Sequence, residues 1–575
     1  MQKTLESLTP LEEGSVKEFY HQLYGLRRIY ESGAQDTVVM HQKTLLYSSQ
    51  AMGPVKLTLD HRESYEVSRL GRVYDIEIQG DFVLITFKQQ DEKGETEYEQ
   101  YMGIRGVKNV QVLNEWKEKQ YSYDKERKSQ SDYWVYEALV FTPKHKVVIS
   151  SSTNKAEART LCDISYFHFD DILTTVHLKT REQLPNYHSI YNSKQHSAAS
   201  LASWSLLQMH QQFQFDHQMI TGIYAGYPWF FQLWSRDELI SLGGLMDLAR
   251  QLNDTALYKN IKSILARHIK SILADGTLSN RYPHSDLGSI DAFGWLAKRI
   301  NDFLIILKEE KKLYDLFEIP ELLLWYKLLK EGLVKAKEHH QEEGLFKNGF
   351  NETWMDTSYN DEGRTGFRIE IQALHYAIYD AIILLGNIVD SPEVHDYADE
   401  QKQFRETIRS RFLINGRVID GFSQDIDWSY RPNIFLAGFV AFDLFTRNEW
   451  KHIAVEYLEQ LMTPWGGLST IEASNALYQP YYTGQTNESY HRGDSWYFVN
   501  NIAAMVLHQI DPHIFKEAIQ LIAQASATDI LDLGLAGHGS EISSAQEQKA
   551  QGCLAQAWSV ATYLELMSAL YPLYD

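Results

Sequence analysis

Acidic residues in this chain recur beside aromatic ones. The stretches GYPWFFQLWSRDE (226–238), DGTLSNRYPHSDLGSIDAFGW (275–295), GLFKNGFNETWMDTSYNDEGR (344–364), DIDWSYRPN (425–433), TPWGGLSTI followed by YHRGDSWYF (463–498) and LGLAGHGSEISSAQEQKAQGC (533–553) nearly all combine the two. Aromatic planes pack on the C–H faces of sugars, and a pair of carboxyl groups can act as acid and base on either side of an anomeric carbon. Two acids fit those roles. Asp356, in NETWMDTSY beside Trp354 and Met355, is placed where partial desolvation raises a carboxyl pKa toward that of a general acid. Glu541, in GHGSEIS, occupies a small polar turn where a carboxylate stays solvated and close to a water it could activate. Glu352 and Asp494 compete with them by position. Trp229, Trp234, Trp354 and Trp465 are candidates for stacking on a sugar ring, and equally for plain packing.

The elements that carry these stretches are helical. After Gln195 the hydrophobic period is that of helices, with twelve expected at about 195–212, 236–252, 254–273, 289–311, 319–340, 364–388, 394–413, 431–446, 447–462, 490–509, 512–527 and 551–570. From the third onward, odd-numbered helices are amphipathic, as in VHDYADEQKQFRETIRSRF, whereas even-numbered ones are apolar or small nearly all round, as in PNIFLAGFVAFDLF. A helix without a polar stripe must be surrounded, and one with a stripe can face water. The alternation describes an inner ring inside an outer one. Even-to-odd connections are short, while odd-to-even connections are the long acidic and aromatic stretches, so one end of the double ring carries them all. An (α/α)6 barrel is expected in preference to an open helical solenoid, which stacks helix pairs without concentrating unlike loops on one side.

The first third reads differently. Short runs such as PVKLTLD, GRVYDIEIQ, DFVLITFK and SYFHFDDILTTVHLKT between about Thr37 and Thr180 suggest consecutive strands and a β-sandwich, with Gly80-Asp81 as a hairpin turn. The expected division is a β-rich accessory domain over 1–185, a linker over 186–194 and the helical barrel over 195–575.

Composition narrows the function classes. The 575 residues are 44% hydrophobic, 23% charged and 13% aromatic, as in a globular protein rich in rings. A formal net charge of −21 opposes nucleic acid as a partner, because that affinity comes from cations neutralising phosphates. The start, MQKTLESLTPLEEGS, has no basic region leading into an apolar run, and the apolar helices contain acids or amides, so neither a secretory signal nor a membrane span is expected. Two distant thiols, Cys162 and Cys553, make no disulfide framework or zinc site, which suits a reducing cytoplasmic setting.

Seven motifs resemble, in order, those of the amylo-α-1,6-glucosidase domain of glycogen debranching enzymes: GYPWFFQLWSRDELISLGGL, NETWMDTSYN, RIEIQALHYAI, RPNIFLAG, TPWGGLSTI, YHRGDSWYF and GSEI…QGCLAQAWSVA, across about residues 222–570. Through the Trp-x-Arg-Asp element at Trp234 to Asp237, the similarity extends to glucoamylases and other inverting six-hairpin glycosidases. The resemblance implies an inverting exo-glucosidase on α-1,6- or α-1,4-linked glucan oligosaccharides, without metal or organic cofactor. Its acid falls on Asp356 and its base on Glu541. It further implies sugar contacts for Arg236 and Asp237, and pocket positions for Asp291, Glu370 and His491. Arg236 and Asp237 could equally form an ion pair at a helix start, and the others could be buried structural partners. The transferase domain of large debranching enzymes has no counterpart here, and the β-rich third matches no element of the family. A trehalase-like hydrolase, an inverting phosphorylase or a non-catalytic glycan-binding protein would use the same barrel.

Overall fold

A computed structural model describes residues 3–22, 24–62, 66–182, 184–185, 193–215, 218–228, 230–283, 288–360 and 363–572. The chain divides into two compact units, Met1–Leu184 and Pro185–Asp575. Most of the linker expected over 186–194 lies outside the described residues.

The first unit is an antiparallel sheet of β1 (Lys3–Pro10), β2 (Val16–Gln22), β3 (Gly25–Tyr30), β4 (Gln35–His41), β5 (Thr44–Gln50), β6 (Val55–Arg62), β7 (Arg72–Gln79), β8 (Phe82–Gln90), β9 (Thr96–Gln120) and β10 (Asp132–Ser152). A short helix, α1 (Ser122–Glu126), joins the last two. The order is β2-β3-β4-β5-β10-β9-β8-β7, with β1 paired to β6 and β6 to the first half of β10. Gln79 faces Phe82 across the β7–β8 turn, and Gly80 takes φ 66° there, as a two-residue hairpin requires. Period-two alternation sends Leu45 and Tyr47 of β5 to a core with Val55 and Leu57, and Leu46 to the opposite face with Phe82 and Val148.

That second face is closed by two helices, α2 (Lys155–Phe167) and α3 (Phe169–Glu182). The expectation of a strand in SYFHFDDILTTVHLKT is therefore wrong. Asn154 caps α2 by accepting from the Glu157 N–H at 3.0 Å, and Ala158, Cys162 and Ser165 are buried at helical spacing. The β-branched run Thr174-Thr175-Val176 suggests a strand only when read without that period.

The second unit contains α4 (Ser193–Met209), α5 (Ser235–Leu252), α6 (Thr255–Lys270), α7 (Ala292–Glu309), the single turn α8 (Leu313–Leu316), α9 (Ile319–His340), α10 (Ile369–Ile388), α11 (Val394–Phe412), α12 (Asn433–Val440), α13 (Arg447–Leu461), α14 (Tyr497–Ile510), α15 (Lys516–Asp532) and α16 (Ala557–Leu570). Contacts run from α5 to α7, α10, α12, α14, α16 and back to α5. These are the helices apolar all round, and they are buried nearly throughout. Around them, α6 packs on α5, α9 and α11 on α10, α13 and α15 on α14, and α4 on α15 and α16. Helix α10 is long and apolar enough to cross a membrane by length and composition, but its apolar window is 83% buried within the protein.

Several inner helices begin later than their hydrophobic pattern. Residues 489–494 fold into a turn in which the Arg492 and Asp494 N–H groups both donate to Ser489 O, and α14 starts only at Tyr497. Helix α12 stops at Val440 because Ala441 leaves the helical region.

Candidate active site

Short ladders tie together the segments that precede the inner helices. Leu233–Trp234, before α5, pairs with Arg281–Tyr282, before α7. Phe367–Arg368, before α10, pairs with Gly421–Phe422, before α12. Ser495–Trp496, before α14, pairs with Ile542–Ser543, before α16, and Gly226–Tyr227 pairs with Ala555–Gln556. The remaining links are the Ile290 N–H donating to Glu352 O at 3.1 Å and Arg431 donating to His491 O at 2.9 Å. The N-terminal ends of all these helices thus meet on one set of loops, where their partial positive charge favours carboxylates.

Arg236, in the first turn of α5, organises one side of the site. Its Nε donates to Asp291 Oδ2 at 2.7 Å and its Nη1 to Asp356 Oδ2 at 3.3 Å. Asp291, at the start of α7, also accepts from the Ser289 hydroxyl at 2.8 Å. Both Arg236 and Asp291 are buried, whereas the Asp356 side chain keeps 33% exposure. Although partly open, the Asp356 carboxyl is desolvated by the loops packed round it, which raises it above its ordinary pKa, with Arg236 opposing and Asp291 adding to the rise. Asp237 is pushed up to about 8 by burial, against Arg236 and with help from Glu541 and Asp356. One of its oxygens accepts from Gln556 Nε2 at 3.0 Å.

Glu541 is only 3% exposed, not solvated as its small polar turn suggests, because the loops close over it, and it is held from two directions. Tyr490 donates its hydroxyl to Oε1 at 2.6 Å, and the Cys553 N–H donates to Oε2 at 2.8 Å. Burial, then the Glu541 charge, keep the Tyr490 phenol far above its ordinary pKa, so it remains a donor. Gly552 makes this geometry available: at φ 66° it has the left-handed backbone, and a Cβ there would overlap Glu541 Oε2.

The other expected residues divide into two groups. His491 contacts Thr357 Oγ1 through Nδ1 at 2.8 Å and stacks on Trp496 with centroids 5.1 Å apart. Burial, reinforced by Arg492, Arg431, Arg364 and Arg236, holds it neutral. Trp234 is half-buried, with Phe230 against its edge and the Arg281 guanidinium 5.1 Å from its ring centroid. Among the described residues, Trp234 Nε1, Arg236 Nη2 and His491 Nε2 are buried without a hydrogen-bond partner. A ligand rich in hydroxyls would satisfy such groups, each of which otherwise costs about 1–3 kcal/mol.

Trp354 and Glu370 lie deeper. The Trp354 indole donates to Asn433 Oδ1 at 2.8 Å, and its ring is walled in by His491, Trp496 and Phe498. Glu370 pairs with Arg364 at 2.8 Å, and Arg364 also holds Asp420 at 2.7 Å, making a buried network. Burial raises the Glu370 pKa. Trp465 is half-buried and donates to Ser544 O at 3.0 Å, while Trp229 lies outside the described residues. Of the competing acids, Glu352 accepts from the Gly349 N–H of its own loop at 2.6 Å. Asp494 is wholly buried on the Ser489 hydroxyl at 2.7 Å, and burial moves it up to about 8.

The sequence reading passed over Tyr490, Gln556 and Gly552. Tyr490 stands next to His491 in YHRGDSW and Gln556 lies in QGCLAQAW, but spacing does not reveal which carboxylate each would meet.

The fold is one already seen in a solved structure. A bacterial glucoamylase solved in complex with acarbose superposes with a TM-score of 0.62 at 12% identity, covering 99% of this chain and 85% of its own. No curated protein matches. Residues 201–565 match the amylo-alpha-1,6-glucosidase family, which is most of the second unit and more than half of the chain. The chain belongs to that family, one of glycoside hydrolases.

Proposed function

We propose that this protein is an inverting, exo-acting glucosidase that releases glucose from α-linked glucan oligosaccharides, with Asp356 as general acid and Glu541 as general base. The observation that carries this reading is convergence on one pair of neighbours: Arg236 donates to Asp356 at 3.3 Å, while Asp237 accepts at 3.0 Å from Gln556, three residues after the Cys553 N–H that holds Glu541 at 2.8 Å. The circuit of inner-helix contacts supports an (α/α)6 barrel, and the first unit supports a sandwich-like accessory domain. The glucoamylase, solved with acarbose, supports an oligosaccharide in the site.

Glu541 takes a proton from water as the water oxygen bonds to the anomeric carbon, and Asp356 gives its proton to the departing glycosidic oxygen. Water, one base and one acid complete the atom balance, so the step needs no cofactor. A carboxyl whose pKa is raised by desolvation is better suited to donate a proton than an ordinary one, which fits Asp356 to the acid's part. Arg236 and Asp237 would grip the terminal sugar, with Trp234 and His491 lining its pocket and Asp291, Trp354 and Glu370 shaping it. The buried, reduced thiols Cys162 and Cys553 fit a cytoplasmic setting.

A panel of maltotriose, isomaltotriose, panose and trehalose, with and without phosphate, tests the substrate class by glucose release. Proton NMR of the first anomer tests the mechanism. β-Glucose should appear first, and Glu541→Gln should lose about 10²–10⁴-fold in rate while remaining folded. α-Glucose appearing first, or near-wild-type turnover by that variant, rejects the assignment.

A further inference from the structure

Outside the candidate active site, the first unit contains a recess of about 610 Å³, within the range of roughly 300–1,000 Å³ typical of small-molecule sites. Its floor is formed by β3, β4 and β5 with part of β10, and its wall by α3. We propose that this recess is a second glucan-binding site, which holds a short stretch of an α-glucan chain on residues of the first unit alone. The choice of ligand rests on the glucosidase reading; the existence of a site rests on the recess itself.

The lining has the composition that sugar recognition asks for. Tyr24 and His177 bring two rings together, with centroids 4.7 Å apart at 49°, giving a tilted aromatic ledge for the C–H face of a pyranose. Arg27 is oriented by Gln35 Oε1 at 2.5 Å and rests on the Tyr20 ring, so its fork of donors is held toward one side. His145 donates through Nδ1 to Ser49 O at 2.8 Å, which leaves Nε2 as an acceptor for a sugar hydroxyl. Ser48, Thr37 and Thr174 add hydroxyls along the same recess.

Electrostatics favour a neutral ligand. The one carboxylate in the lining, Asp36, is already occupied: Arg28 donates to it at 2.9 and 2.7 Å, Tyr30 at 3.0 Å and Tyr47 at 3.1 Å. This buried knot stiffens the floor without presenting a net charge. Among the described lining residues Arg27 is the only arginine or lysine, whereas phosphate recognition gathers several cations or a run of backbone N–H groups. A polyhydroxylated ring therefore suits the recess better than a phosphate. The floor strands are rigid sheet elements, which suits a preformed site.

A second anchoring point raises the effective concentration of a long chain at the catalytic site and does nothing for a short one. Tyr24→Ala and, separately, the exposed His145→Ala should each raise KM for glycogen at least about threefold and leave kcat/KM for maltotriose unchanged. Binding is read independently of turnover by the retardation of each protein in gels containing glycogen, and by titration with maltohexaose and with inorganic phosphate. The expected result is weaker retardation and weaker maltohexaose binding in both variants, with melting temperatures held. Unaltered retardation and glycogen KM in His145→Ala, absence of wild-type retardation, or variant-sensitive binding of phosphate in place of maltohexaose would overturn the proposal. Failure of the glucosidase reading shows differently, as absence of cleavage of glycogen and maltotriose alike, with the retardation comparison still readable.

Discussion

Glu541 is aimed by its neighbours. Tyr490 and the Cys553 N–H fix its two oxygens, and Gly552 leaves the room for them. Gly552→Ala would force both a strained left-handed alanine and a displaced carboxylate. Because displacement by about an ångström can cost 10²-fold, kcat should fall by about that factor with KM little altered. Steady-state kinetics beside circular dichroism measure this, and a variant within threefold of wild type would show that Glu541 has slack. Arg236 acts on the other acid: burial and Asp291 raise the Asp356 pKa while Arg236 lowers it. Removing that cation makes the carboxyl harder to ionise, so in Arg236→Gln the alkaline limb of the kcat/KM–pH profile should move upward even as its height drops. A limb that stays put or moves down would detach Asp356 from the proton donated.

Elements set where those side chains start. Each inner helix begins just after a two-residue ladder or a loop-to-loop hydrogen bond, which puts Arg236, Asp237 and Asp291 at helix starts, whereas Asp356 and Glu541 sit in the loops ahead of α10 and α16. Outer helices are held by ordinary local devices. At α13, Thr446 Oγ1 accepts from the Glu449 N–H at 3.3 Å and Glu449 accepts from the Thr446 N–H at 2.7 Å, a complete capping box. Thr446→Ala should cost about 1 kcal/mol of stability, read by denaturant titration, and leave kinetics unaffected, since α13 packs on α14 at the periphery of the ring. Helix periodicity was legible for the long helices of the second unit, because burial on one face or all round is written in the order of residues, but not for α2 and α3, whose β-branched and aromatic run reads as strand. The starts of α10, α14 and α16 were not legible, because apolar residues continue back into loops whose backbone is committed to cross-loop pairing.

Across the whole molecule, buried acids set the pH response. Burial raises Asp237 and Asp494 to about 8, Asp247 and Asp529 to about 7 and Asp380 to about 6. In the unfolded chain such groups ionise near pH 4. Between those values the native state binds more protons than the unfolded one, so stability falls as pH rises from about 4 toward 8. Glu238, Asp427 and Glu449 act oppositely: cationic and hydrogen-bonding partners hold each at about 2, and their contribution is lost as pH falls through about 4 toward 2. The melting temperature should therefore peak on the acid side of neutrality and decline toward pH 8, and Asp494→Asn should flatten that decline. Scanning calorimetry from pH 3 to 9 reads both, and a maximum at pH 8 would contradict the burial of these carboxyls. At this scale the division between sequence and structure is clear. Local order determined the helical period, the alternation of surrounded and half-exposed helices, the acidic aromatic loops and the motifs of the family, because each is a property of neighbours along the chain. Only the tertiary structure decided that Gln556 meets Asp237 across 319 positions, that Tyr490 meets Glu541, and that Asp291 and Asp356 share Arg236. Such partnerships depend on how closed contacts between remote loops orient side chains, and no spacing along the chain encodes that orientation.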